Sequence, residues 1–64
     1  MQISQAREYV GCNCSVTWMD FTGAEQTTVI KVDNLQFVPL YGAYLVGDSE
    51  ELNLEKVTSI RPLD

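Results

Sequence analysis

Cys12-Asn13-Cys14-Ser15-Val16-Thr17-Trp18-Met19 is the stretch that decides the fold of this chain. Cys12, Cys14, Val16 and Trp18 alternate with Asn13, Ser15, Thr17 and Met19. A period of two predicts a strand with one buried face. Moving outward, Asp20-Phe21-Thr22-Gly23 supplies turn chemistry, with Gly23 suited to positive φ. Gln26 to Val32 is rich in β-branched residues, which are stiff at χ1 and suit a pleated surface. Asp33-Asn34 reads as a second turn. Leu35 to Val46 reads as extended, interrupted at Pro39, which cannot donate to a ladder, and bent at Gly42. Tyr44-Leu45-Val46 resumes the strand, and Gly47-Asp48-Ser49-Glu50 reads as a polar hairpin loop. Leu52 and Leu54 alternate with Asn53 and Glu55. A short turn at Lys56 then leads to a last strand near Thr58 to Arg61, stopped by Pro62.

On the N-terminal side, Ser4 to Val10 predicts one or two helical turns. Ser4 would cap them, Gly11 would end them, and Ile3, Ala6 and Val10 would share one side. The expected architecture is all-β: a five-stranded, bent, antiparallel small barrel preceded by a short helix. Closure of such a sheet would remove its exposed edges. The 64 residues have room for one domain, 1–64, with no linker and no repeat.

Nine acidic side chains against four basic ones give a formal net charge of -5. The cations Arg7, Lys31, Lys56 and Arg61 form no run. Phosphate binding driven by counterion release needs clustered cations, so a monomer is expected to repel duplex DNA. The acidic balance favours a basic partner surface. A domain this small buries only about 60% of the surface its unfolded chain exposes. Association with further subunits is the expected remedy, because no metal or disulfide framework is legible. No apolar run approaches the length that spans a bilayer, so no membrane role is expected. Met1-Gln2-Ile3-Ser4 lacks the basic and apolar regions of a signal peptide, so a cytoplasmic protein with reduced thiols is expected.

By this point the order of features resembles the Sm-like (SH3-like) small barrel of Sm, LSm and Hfq-type proteins. The resemblance rests on Val16-Thr17-Trp18-Met19-Asp20-Phe21-Thr22-Gly23 and on Leu52-Asn53-Leu54-Glu55-Lys56-Val57-Thr58-Ser59-Ile60-Arg61-Pro62. The closing segment, the length and the acidic charge also resemble the Rho inhibitor Rof. Tyr44-Leu45-Val46 is similar to WYL domains, although Ala43 stands where those carry tryptophan. The Sm-like resemblance implies a homo-oligomeric ring that binds RNA or single-stranded nucleic acid. Asn34 and Phe37 lie near its base-binding position, and a ring would gather Lys31, Lys56 and Arg61 on one face or around a pore. The family's Arg-Gly element is replaced by Lys56-Val57-Thr58. The Rof resemblance implies instead an acidic regulator that masks a basic protein partner.

The residues exclude much chemistry. The chain has no histidine, which removes the usual general base and any Ser–His or Cys–His nucleophile within one subunit. No glycine-rich phosphate loop appears, so no enzyme activity and no cofactor are expected. Cys12-x-Cys14 offers two of the four ligands that structural zinc needs, so the thiols are expected in the core or at an interface and no metal is expected. Trp18 is expected in the core and Phe21 exposed in its turn. Tyr41 and Tyr44 flank a bend, so one ring must face outward. Asp48, Glu50 and Glu51 form an acidic tip, either a solvated loop or a docking point for the basic partner.

Overall fold

In the computed structural model, which describes residues 2–63, the alternating stretch forms β1, Asn13–Met19. It is followed by β2 (Glu25–Val38), β3 (Gly42–Gly47), β4 (Glu51–Asn53) and β5 (Val57–Pro62). Met1 and Asp64 lie outside the described residues. All neighbours are antiparallel, in the order β4-β3-β2-β1-β5. The expected five bent strands are therefore present. The expected closure is not: β4 and β5 are the outermost strands and share no ladder, so the sheet is curled but open.

Asp33-Asn34 does not turn the chain. β2 runs through it as one 14-residue strand. Val32 pairs with Gly47 and Asn34 with Val46, so Asp33 is an extra residue, a bulge. A bulge bends a strand and shifts its facing by one residue. Before it, Ile30 and Val32 point inward; after it, Leu35 does, opposite buried Leu45. This is how one strand serves both halves of the sheet: its first half pairs with β1 and its second with β3.

The core is Ala6, Cys14, Val16, Ile30, Val32, Leu45, Leu52, Leu54 and Val57. Complete burial of a Val, Ile or Leu side chain contributes roughly 1.5–3 kcal/mol. Cys14 is buried, its thiol donating to the Cys12 carbonyl at 3.7 Å, and Cys12 lies just before β1 and packs against the core. Trp18 is only partly buried, and its indole N–H donates to the Thr28 hydroxyl at 3.0 Å.

The N-terminal helix spans Ile3–Ala6 and tightens into a 3-10 turn at Arg7–Tyr9. Its cap is Gln2 rather than Ser4, with the Gln2 N–H donating to the Gln5 side-chain carbonyl at 3.3 Å. Of the expected apolar side, Ala6 is buried while Ile3 and Val10 stay half-exposed.

The β1–β2 turn is built on Asp20. Its carboxylate accepts from the Thr22 hydroxyl at 2.6 Å, the Thr22 N–H at 2.9 Å, the Ala24 N–H at 3.1 Å and the Gln26 amide at 3.0 Å. The Thr22 hydroxyl, then Gln26, then the two backbone donors hold its pKa down from 3.8 to about 2. Because the folded value lies below the unfolded one, the turn's support is complete above the ordinary carboxylate range. It is lost as pH falls from 3.8 through about 2. Amide protection at Thr22 and Ala24, taken relative to the intrinsic exchange rate at each pH, is expected to fall over that window, and Asp20→Asn should flatten the response. Protection that stays level down to pH 2 would contradict this account of the turn.

The β2–β3 turn has an unusual occupant. The Tyr41 N–H donates to the Val38 carbonyl at 3.0 Å, so Val38-Pro39-Leu40-Tyr41 is a hydrogen-bonded β-turn. Pro39 holds its second position, and Leu40 its third with φ 76°. That pattern is a type II turn, whose third position favours glycine. A leucine there strains the backbone, and its side chain is 100% exposed.

Candidate functional site

Two grooves each bring polar and aromatic side chains from separate elements together. The first, about 300 Å³, lies between the N-terminal helical turns and the β2–β3 hairpin. Ile3, Arg7, Val10, Asn34, Leu35, Gln36, Phe37 and Ala43 line it. The bulge at Asp33 makes this groove, because it turns Leu35 and Phe37 to one face, opposite Leu45 and Ala43. Phe37 lies beyond the edge of the core and is 66% exposed.

The second groove, about 350 Å³, lies between the β1–β2 turn and the β3–β4 hairpin, where the sheet fails to close. Trp18, Phe21 and Tyr44 bring three aromatic rings to it. Asp20, Glu50 and Glu51 bring three carboxylates, against the one ammonium of Lys56. The Met19 N–H donates to the Lys56 carbonyl at 2.9 Å and ties this end of β1 to the β4–β5 turn. Phe21 at the turn tip is 98% exposed, as its turn position predicts. Tyr44 is the more buried of the two tyrosines flanking Gly42, and Tyr41 the outward one.

The residues expected to contact nucleic acid do not converge. Asn34 and Phe37 share the first groove, where the cation beside them is Arg7. Lys31 and Arg61 are exposed on the outer face of the β2-β1-β5 layer, opposite Asn13 and Ser15 respectively. Lys56 sits in the second groove among the acids. Lys31 pairs with Asn13 and Lys56 with Met19, so the two lysines lie about 20 Å apart along β1. No family model matches the chain, and neither a curated protein nor a solved structure matches it.

Of the acidic tip, Glu50 and Glu51 reach the second groove and Asp48 does not. Asp48 is bound to β2 instead: it accepts from the Lys31 N–H at 3.3 Å, and its own N–H donates to the Lys31 carbonyl at 3.1 Å. Among the described residues no three Cys, Asp or Glu side chains are placed to hold a metal ion. No described helix is long and apolar enough to cross a membrane. Sequence reasoning missed Arg7, which the helical turns carry to β2 from far along the chain. It also missed Asp20, which composition alone presents as an ordinary turn residue.

Proposed function

We propose that this chain is a non-enzymatic binding module of the Sm-like small-barrel kind, whose ligand is a basic segment of a partner protein. The observation that carries this reading is the second groove, whose lining includes the aromatic residues Trp18, Phe21 and Tyr44 and the exposed acids Glu50 and Glu51, against the one lysine, Lys56. Aromatic faces attract guanidinium and ammonium groups, and carboxylates hold them by charge-assisted hydrogen bonds. The net charge of -5 steers a basic partner and opposes a polyanion. The strand order and the helical turns ahead of β1 support the fold-class reading.

Trp18 lines the groove and is the one tryptophan of the chain, so its fluorescence reports occupancy. Titration with an oligo-arginine peptide is expected to shift Trp18 emission, with affinity falling as salt rises. Reversing both Glu50→Lys and Glu51→Lys should weaken binding by roughly tenfold, the effect of losing two exposed attractions and adding two repulsions. Single-stranded RNA in place of the peptide is expected to give no response. Tight RNA binding with no response to the peptide would reverse the reading, and would move attention to Phe37, Asn34 and Arg7.

A further inference from the structure

Residues 3–9 wind at helical spacing, and that winding sorts their side chains onto two flanks. Ile3 and Arg7, with Val10 just beyond the last turn, line the first groove, toward the β2–β3 hairpin. Gln5, Glu8 and Tyr9 line a third groove, of about 360 Å³, whose far wall is Val57, Thr58, Ser59 and Ile60 of β5. Ala6 lies between the two flanks and is the one buried residue of the helical turns. The N-terminal segment therefore lies on the sheet with a groove along each side.

Little holds it there. Its fully buried contact is one methyl group, that of Ala6, and Tyr9, Ile3 and Val10 are only partly covered. Among the described residues its hydrogen bonds stay local: the Gln5 and Ala6 N–H groups each donate to the Gln2 carbonyl at 3.1 Å, and the Val10 N–H to the Arg7 carbonyl at 3.3 Å. Bonds to the sheet begin only past its end. There the Gly11 N–H donates to the Val32 carbonyl at 2.7 Å, and the Cys12 carbonyl accepts from the Val32 N–H at 2.9 Å. Gly11 has φ 92°, and a β-carbon on it would meet nothing within 4 Å, so the chain has open space to swing at this point.

We propose that Gln2–Val10 is a strap hinged at Gly11, and that its lifting joins the first and third grooves into one apolar trough across the sheet. Leu35, Ala43, Val57 and Ile60 form the floor of that trough, and each belongs to the core or packs against it. A helix this short is marginal in water, so the lifted strap also unwinds. The gain in chain entropy favours lifting, and the contacts of Ala6 and Tyr9 oppose it. A minor open state of this kind is a concealed site, complete except for its cover. The motion leaves the second groove as it is, because none of the residues lining that groove belongs to the strap.

Amide exchange of the full chain, read residue by residue against intrinsic rates, tests the hinge. Ala6 and Val10 are expected to exchange together, at least about tenfold faster than the paired amides of β1 and β2. Low urea should leave their rates unchanged, as for a local opening that exposes little surface. Ala6→Glu tests the trough. A carboxylate at the floor position should hold the strap open, because it cannot be buried there unpaired. The variant should bind the neutral apolar dye Nile red more strongly than the parent, while keeping its Trp18 emission and a cooperative urea transition. Strap amides that exchange in step with the ladders would overturn the proposal, because the segment would then open only with the whole molecule. Loss of the cooperative transition in Ala6→Glu would overturn it too, since the segment would then be an integral part of the core. So would a folded variant that binds no more dye than the parent.

Discussion

Leu45→Ala is expected to destabilise the protein by about 2–5 kcal/mol, the usual range for truncating a fully buried leucine. Leu45 has no exposed surface and sits at the centre of the second half-sheet, opposite Leu35 on β2 and Leu52 on β4. Those pairings leave the cavity ringed by strands on both sides, so it cannot collapse without moving a ladder. At roughly 0.05–0.15 kcal/mol per residue, a chain of this size holds only about 3–10 kcal/mol in total. The loss is therefore a large fraction of the total stability. Urea denaturation followed by Trp18 fluorescence should show a much lower midpoint at unchanged slope. An unmoved midpoint would mean that Leu45 is not in the core.

The second large effect is expected at Gly47, where the smallest possible substitution is harmful. A β-carbon there would stand 2.9 Å from Ile30 Cδ1, 3.0 Å from Ile30 Cβ and 3.1 Å from the Glu50 carbonyl oxygen. Neither neighbour yields easily. Ile30 is fully packed, and the Glu50 carbonyl is held by the Gly47 N–H at 2.8 Å. Gly47→Ala should cost about 1–3 kcal/mol through overpacking. Ile30→Val removes the closest atom of the clash, so it should cost less in the Gly47→Ala background than alone. A double-mutant cycle of urea midpoints measures the coupling. Strict additivity would show that the two positions do not meet.

The fold was legible wherever alternation ran unbroken. Val16 and Ile30 lie where period two puts them, and Gly23, at φ 86°, turns the chain where its turn residues predict. Legibility failed at Asp33-Asn34, because the polar residues that make turns also fill bulges, and only the cross-strand partners tell the two apart. The continuation of β2 to Val38 was hidden for the same reason: after the bulge the inward positions change from even to odd. Glu50 and Glu51 were readable as an acidic tip. Their neighbours Trp18, Phe21 and Tyr44 come from β1, its turn and β3, and no local pattern joins these. Leu40 gave one usable signal, Pro39 before it, since proline at the second position of a turn commits the third to a restricted choice.

The last strand closes the sheet's longest circuit. The Thr58 hydroxyl donates to the Thr17 carbonyl at 3.2 Å across a separation of 41 residues, while β1–β2, β2–β3 and β3–β4 are hairpins between consecutive strands. The entropy lost in closing so long a loop is recovered only once the intervening strands are in place. The central meander can therefore assemble from neighbours, and β5 docks on a surface already built. Until it docks, β1 has one flank bare. A nascent chain emerging in sequence order passes through that half-finished state, with an open strand edge as its chief exposure to wrong partners.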